Sequence, residues 1–195
     1  MMRNEDNWEE YYRRTRGKDP RRSLQLVLEK FNAENFTGKA LDLGSGACND
    51  LDYLYQQKWQ VCGLDPEPAS YKYFQEHYAN IPGLSFQQAK FNEIQWQKYD
   101  LIHAGFSLPF CEKDYLSELI VAIKSNLNLG GRFAGNFFGL EHSWQNLSLV
   151  SKKEVEDFFS DFEIELIEET KSTRSSTLGE EIFHHDILVI AKKIK

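Results

Sequence analysis

From Asp42 to Cys48 the chain reads Asp-Leu-Gly-Ser-Gly-Ala-Cys, and these residue types suit a ligand-binding turn. Glycines closing a strand let backbone approach a ligand, and a helix opening behind them offers free N–H groups. A Gly-x-Gly pair is weak alone, because tight strand-to-helix turns use glycine anyway. Two details sharpen it. Asp42 stands two positions before Gly44, where a dinucleotide fingerprint is usually apolar, and a carboxylate there can meet a cationic amino or sulfonium group. The third glycine of G-x-G-x-x-G would fall at Asn49, which counts against NAD or FAD, since that glycine permits close packing beneath a pyrophosphate.

Asp65 follows about twenty residues later, at the end of the next apolar segment. A carboxylate there can accept both hydroxyls of an adenosine ribose, or it can cap the helix near Pro66 and Pro68; after the glycine turn, the ligand reading leads. Gln88–Ile94 would form a loop against an adenine, with Phe91 on the ring or, alternatively, in the core. Tyr99–Ala104 reads as a strand followed by an apolar, aromatic loop through Phe106, Pro109, Phe110 and Cys111. Open α/β sheets bind ligands at the carboxyl ends of their strands, so that loop is either a pocket wall or a loop tucked onto the core. Leu127–Phe133 is a helix stop whose Gly130-Gly131 supplies the turn. His103, His142, His184 and His185 are candidate bases, each weighed below an ordinary structural or surface role, so no residue is assigned as catalytic.

The elements that must position these residues alternate. Helices are expected over 4–16 and from Pro20 to about Phe36, then strand 39–43, helix 48–58, strand 60–64, helix 68–78 and strand 84–88. Strand 99–104, helix 112–127, strand 131–138 and helix 151–160 follow, with strands at 162–168 and 186–191. This order means parallel βαβ units in a doubly wound sheet. The polar stretch 169–183 is too short for a crossover helix, so the last two strands should pair antiparallel.

Composition bounds the partners. The 195 residues suit one domain, 1–195, with 1–36 as a helical lid and 37–195 as the core. A net charge of −7 argues against nucleic acid, and the basic run Arg13–Arg22 reads as solvated surface. Cys48, Cys62 and Cys111 are scattered and unpaired in pattern, which speaks against disulfides or a metal site and for a reducing compartment. The opening residues are too charged for a signal peptide and no apolar run reaches the ~18 residues of a membrane span, so a cytoplasmic protein with no membrane partner is expected.

Taken in order, Asp42-Leu43-Gly44-Ser45-Gly46, Asp65, Tyr99-Asp100-Leu101-Ile102 and Leu127-Asn-Leu-Gly130-Gly131-Arg-Phe resemble the class I S-adenosylmethionine-dependent methyltransferases. Ala104–Cys111, Gly131–Gly139 and the opening Trp8, Tyr11 and Tyr12 resemble, within that family, small bacterial methyltransferases of the tellurite-resistance type. The resemblance implies a Rossmann-like, mostly parallel seven-stranded sheet with an antiparallel last strand and helices on both faces. It also implies cofactor contacts. Gly44, Ser45 and Gly46 would pass beside the methionine part with Asp42 near its amino group, and Asp65 would hold the ribose. Pro66 and Phe91 would sandwich the adenine beside Lys90, the backbone of His103 or Ala104 would meet the amino-acid end, and Tyr12 would close over the top. Departures from the family pattern are Cys48 for a third glycine, Lys90 for an Asp, and Leu129 for a proline.

The implied reaction is in-line transfer of a methyl group from S-adenosylmethionine to an unidentified small-molecule acceptor, leaving S-adenosylhomocysteine. Tyr11, Phe106, Pro109, Phe110, Phe138 and Trp144 are the expected acceptor-pocket walls, with ordinary core packing as their alternative. A monomer or weak homodimer is expected. An NAD-dependent oxidoreductase is disfavoured by Asn49 and the antiparallel tail; a non-catalytic binder that keeps the fold is the other reading.

Overall fold

The computed structural model describes residues 8–175 and 179–195, so the expected start of the first helix at residue 4 lies outside the described residues. Seven strands are present: β1 (Lys39–Leu43), β2 (Gln60–Leu64), β3 (Leu84–Gln87), β4 (Tyr99–Ala104), β5 (Leu127–Phe138), β6 (Glu163–Ser175) and β7 (Glu181–Lys192). They form one sheet in the order β3-β2-β1-β4-β5-β7-β6. Neighbours are parallel from β3 to β5, and β7 runs antiparallel to both β5 and β6. The helices are α1 (Trp8–Thr15), α2 (Arg22–Ala33), α3 (Asn49–Gln56), α4 (Pro68–His77), α5 (Leu116–Asn126) and α6 (Lys152–Phe158).

Both faces of the sheet are covered, so its central strands are apolar on both sides. Strand alternation sends Leu41, Leu43, Ile102 and Phe133 to one core, shared with Leu119 and Ile123 of α5 and Val155 of α6. Ala40, Leu101, Ala134 and Ile190 face the other, against Leu24, Val27 and Phe31 of α2 and Leu51 and Leu54 of α3. Of the expected N-terminal cap, therefore, α2 is core, and α1 is the element that lies over the ligand edge. Arg132 is buried at the lower end of this second layer, with bidentate bonds to Glu34 (2.7 and 2.9 Å) and Glu165 (2.8 and 2.9 Å) and its guanidinium 4.6 Å from the Phe31 ring centroid.

The largest difference from the sequence reading is at 169–183. That stretch is not a loop between two short strands; β6 and β7 run through it as a long ribbon, paired from Glu163↔Lys192 to Ser175↔Glu181 with one register shift between Ile164 and Leu166. Its far end lacks an apolar pattern because β6 is exposed there, and the backbone ladder is supplemented by a cross-strand His185–Glu169 hydrogen bond at 2.7 Å and the Arg174–Asp186 ion pair. Likewise β5 begins at Leu127 rather than 131, since Gly130 N–H donates to Lys193 O and Lys193 N–H to Gly131 O, each at 2.8 Å.

Candidate active site

The carboxyl edge of β1 ends in the glycine turn. Gly44 (φ 78°) and Gly46 (φ 50°) occupy the left-handed region, which glycine enters without the Cβ penalty. Space matters as much as φ: a Cβ on Gly44 would lie 2.4 Å from Ser107 Cβ, and one on Gly46 would lie 3.0 Å from the Tyr12 ring. The turn is tied to β2, with Gly44 and Ser45 N–H both donating to Leu64 O (2.7 and 2.9 Å). Ser45 Oγ donates to Asp42 O (3.0 Å) and accepts from Leu64 N–H (3.2 Å), so this side chain stitches the turn.

Asp65, buried at the end of β2, is the focus of the turn. Its Oδ2 accepts from Gly46 N–H at 2.9 Å, its Oδ1 from Glu67 N–H at 2.9 Å, and the Tyr12 hydroxyl donates to both oxygens at 3.2 and 3.3 Å. Through Glu67, the N-cap of α4, the carboxylate ties the end of β2 to the start of that helix, which is the structural role of the two expected for it. Burial pushes the Asp65 carboxyl up to about 6, against three hydrogen bonds that pull it down.

A cavity of about 780 Å³ opens above this turn, within the range of small-molecule sites. On the β2–β3 side it is lined by Asp65, Pro66, Lys90 and Phe91; over the turn by Gly44, Ser45, Gly46 and Tyr12; and on the β4–β5 side by Tyr11, Phe106, Phe110, Phe138 and Trp144. Those residues are the ones the sequence grouped. The aromatics form a chain of contacts, with ring centroids 5.1 Å apart for Trp8 and Phe110, 6.4 Å for Phe110 and Trp144, 6.0 Å for Trp144 and Phe138, and 5.9 Å for Phe138 and Phe106.

Four expected residues do not line it. Asp42, His103, Ala104 and Pro109 are buried beneath the floor. Strand alternation turns His103 toward α2, where Nε2 is 3.0 Å from Ser23 Oγ and Nδ1 3.2 Å from Asp42 Oδ1. At the end of β4 it is Gly105, Phe106 and Ser107 that reach the cavity instead. Asp42 Oδ2 is buried beneath the floor without a hydrogen-bond partner.

Other lining residues were not anticipated. Arg21 belongs to the run taken as solvated, yet it lines the cavity, bonding Tyr11 Oη from Nη2 (3.2 Å) with its guanidinium 5.5 Å from the Phe106 centroid. Arg16 lies over the Tyr73 ring at 4.0 Å. Aromatic neighbours, not sequence-local acids, hold these cations, so a charge count along the chain gives no sign of it. Arg174 and His184 reach the cavity because the β6–β7 ribbon is longer than its apolar pattern.

Residues 40–131 match the family model described as a methyltransferase domain, a span holding both the glycine turn and Asp65. No curated protein sequence matches the chain. Among solved structures, TehB from Haemophilus influenzae superposes with a TM-score of 0.70 at 20% identity over 86% of this chain, which spans 61% of that protein's length. Magnesium protoporphyrin IX methyltransferase (ChlM) from Synechocystis PCC 6803, with bound S-adenosylmethionine, gives a TM-score of 0.71 at 16% identity over 97% of this chain and 92% of its own. The 1,6-didemethyltoxoflavin-N1-methyltransferase of Burkholderia thailandensis, with bound S-adenosylhomocysteine, gives 0.65 at 17% identity over 89% and 79%. At these identities the superpositions establish the fold, and the domain match covers a little under half of the chain. Residues 40–131 thus carry the likeness to a methyltransferase domain, on the Rossmann-like fold that solved S-adenosylmethionine-dependent methyltransferases share.

Proposed function

We propose that the chain transfers the methyl group of S-adenosylmethionine to a small-molecule acceptor held against the aromatic wall of the same cavity. The observation that carries this reading is the convergence on one 780 Å³ space of the Gly44–Gly46 turn, the Asp65 carboxylate and a continuous aromatic surface. The cofactor supplies an electrophilic methyl group on a cationic sulfur. In the proposed arrangement Asp65 accepts from the ribose, Pro66 and Phe91 flank the adenine with Lys90 at its rim, and Asp42, beneath the floor, acts on the amino group through its charge alone. The glycines bring backbone close to the methionine part. Such positioning is the principal demand of an in-line displacement. Helix α1 is the lid: Trp8 and Tyr12 span the cavity from Phe110 to Asp65, and closing it excludes water from the reacting centre.

Lys18, Arg21, Lys90 and Arg174 nearly offset the lining carboxylates Asp19, Asp50, Asp65, Glu67 and Glu112, so the cavity suits neutral small acceptors. ChlM and the toxoflavin-pathway enzyme, by their names, methylate planar ring compounds, and the aromatic wall here favours acceptors of similar shape. Among the described residues no helix is long and apolar enough to cross a membrane. Three free cysteines, two of them buried, support a cytoplasmic setting. Calorimetry with S-adenosylmethionine, S-adenosylhomocysteine and NAD tests the reading. Micromolar binding of both adenosyl ligands, none of NAD, and weakening in Asp65→Ala are expected; a folded protein that binds neither adenosyl ligand overturns it.

A further inference from the structure

The cavity extends across the sheet from the cofactor end. Strand β7 lies two strands beyond β4, roughly 10 Å at the usual spacing, and places His184 in the cavity wall. Among the chain's five histidines the other four are placed differently. His77 is exposed on α4, with Nδ1 2.9 Å from Tyr73 O. His103 is buried between Ser23 and Asp42. His185 points to the opposite side of the ribbon, its Nδ1 accepting from Glu141 N–H (3.1 Å) and its Nε2 2.7 Å from Glu169. His142 is fully buried beneath His184, ring centroids 5.2 Å apart, and stacks on Phe138 at 3.8 Å.

A carboxylate stands beside His184, at ion-pair range but beyond hydrogen-bond distance. Asp186, buried on the same face of β7, places Oδ1 3.7 Å from His184 Nδ1, while its Oδ2 is ion-paired with Arg174 of β6. The nitrogen turned away from the carboxylate is Nε2. His142, His184 and Asp186 offer ligand atoms within 4.8 Å of one another, a metal-like cluster. The chemistry of His142 argues against that use. Its Nδ1 accepts the Trp144 N–H at 3.1 Å, and burial, with His184, His185 and Arg174 nearby, pushes its imidazole down to about 4. A neutral ring accepting at Nδ1 carries its proton on Nε2 and has no lone pair there for a metal.

We propose that His184 is the general base that deprotonates the acceptor, with Asp186 as its positioning residue, and that the acceptor is an aromatic ring bearing an acidic hydroxyl. This rests on the methyl-transfer reading. The ring lies against Phe138, Trp144 and Phe106, and His184 takes the hydroxyl proton. The oxygen bonds to the methyl carbon as the carbon–sulfur bond breaks, its electron pair remaining on sulfur, and the imidazolium then releases its proton to solvent. Arg174 and Arg21 on the rim stabilise the phenolate. A general base of this kind contributes about 10²–10⁴-fold in rate.

The probe is 4-nitrophenol, whose ionised form is coloured, titrated against protein saturated with S-adenosylhomocysteine. The bound probe should ionise about one pH unit below the free probe, a tenfold shift. His184→Gln should abolish the shift and lower turnover of 4-nitrophenol with S-adenosylmethionine about tenfold at a pH below the free probe's ionisation, with KM and S-adenosylhomocysteine affinity little changed; His142→Gln should keep the shift. In wild-type protein carrying ¹⁵N-histidine, His184 should gain a proton when the probe binds, a readout that stands even where a variant fails to fold. No probe binding, binding without a shift, or a shift that survives His184→Gln overturns the proposal. Absent S-adenosylhomocysteine binding would instead be the failure of the methyltransferase reading beneath it.

Discussion

Replacing Asp65 by Ala tests the cofactor site at its most connected residue. In the structure the carboxylate accepts Gly46 N–H, Glu67 N–H and the Tyr12 hydroxyl. Hydrogen bonds to a charged group are worth about 1.5–3 kcal/mol each. Two ribose hydroxyls would contribute about 3–6 kcal/mol, but they must displace Tyr12, which costs about 1.5–3 kcal/mol. The difference, about 1.5–3 kcal/mol, predicts that Asp65→Ala weakens S-adenosylhomocysteine binding by about 10- to 150-fold. The same arithmetic sets a second arm. Tyr12→Phe, which frees the carboxylate, should tighten binding by about 10- to 150-fold in the wild-type background and do nothing in Asp65→Ala. Calorimetry on the four proteins measures the cycle. Equal effects of Tyr12→Phe in both backgrounds, or Asp65→Ala within threefold of wild type while folded, would refute the reasoning.

The pH dependence follows from the same carboxyl. Its folded-state value of about 6 lies above the unfolded value near 3.8, so between those limits the folded protein binds more protons. Burial of the charge is a penalty that is present above pH 6 and relieved as pH falls toward 4, worth up to about 3 kcal/mol for a difference of about two pH units. The ligand-free protein should gain stability from this group on mild acidification, opposite to a salt-bridged carboxylate. Ligand affinity should move the other way, falling below pH 6 as the protonated acid loses acceptor capacity. Urea unfolding and calorimetry between pH 5 and 8 measure the two trends, and Asp65→Asn should flatten both.

Other consequences follow from packing. Gly44→Ala places a Cβ 2.4 Å from Ser107 Cβ at φ 78°, so it should lower stability by at least about 1–3 kcal/mol, seen as a reduced Tm. Loss of cofactor binding should accompany it, because the turn must shift. Arg132→Ala leaves Glu165 and Glu34 without their shared cation and opens a void under Phe31; removal of one partner of a buried ion pair costs about 3–5 kcal/mol, measurable by urea unfolding, with little effect on ligand affinity once folded. Tyr12→Phe should also raise amide hydrogen exchange in α1 of the ligand-free protein, since the hydroxyl joins the lid to the floor.

How much of this was legible depended on whether a signal was local. The alternation of apolar segments placed β1 to β4 within a residue or so of their observed limits, because central strands buried on both faces must be apolar throughout. The turn at Gly44–Gly46 and the acid at Asp65 were legible too, since backbone conformation and strand-end position are encoded by residue type at fixed spacing. The antiparallel end of the sheet followed from a connection without room for a crossover helix.

What the tertiary structure decided was everything set by contacts distant in sequence. The ribbon of β6 and β7 is held by backbone pairing and cross-strand polar contacts, which leave no apolar period, so its length and the arrival of Arg174 and His184 in the cavity were hidden. Arg21 looked like solvated charge until Tyr11 and Phe106 were packed around it. For His103 the sequence left open a place at the ligand edge or an inward turn by strand alternation, and the pleat of β4 decides for the second, onto Ser23 and Asp42. Local sequence fixes which residues form strands and turns; which side chains share a cavity depends on strand order, pleat and ribbon length, and these exist only once the sheet is assembled.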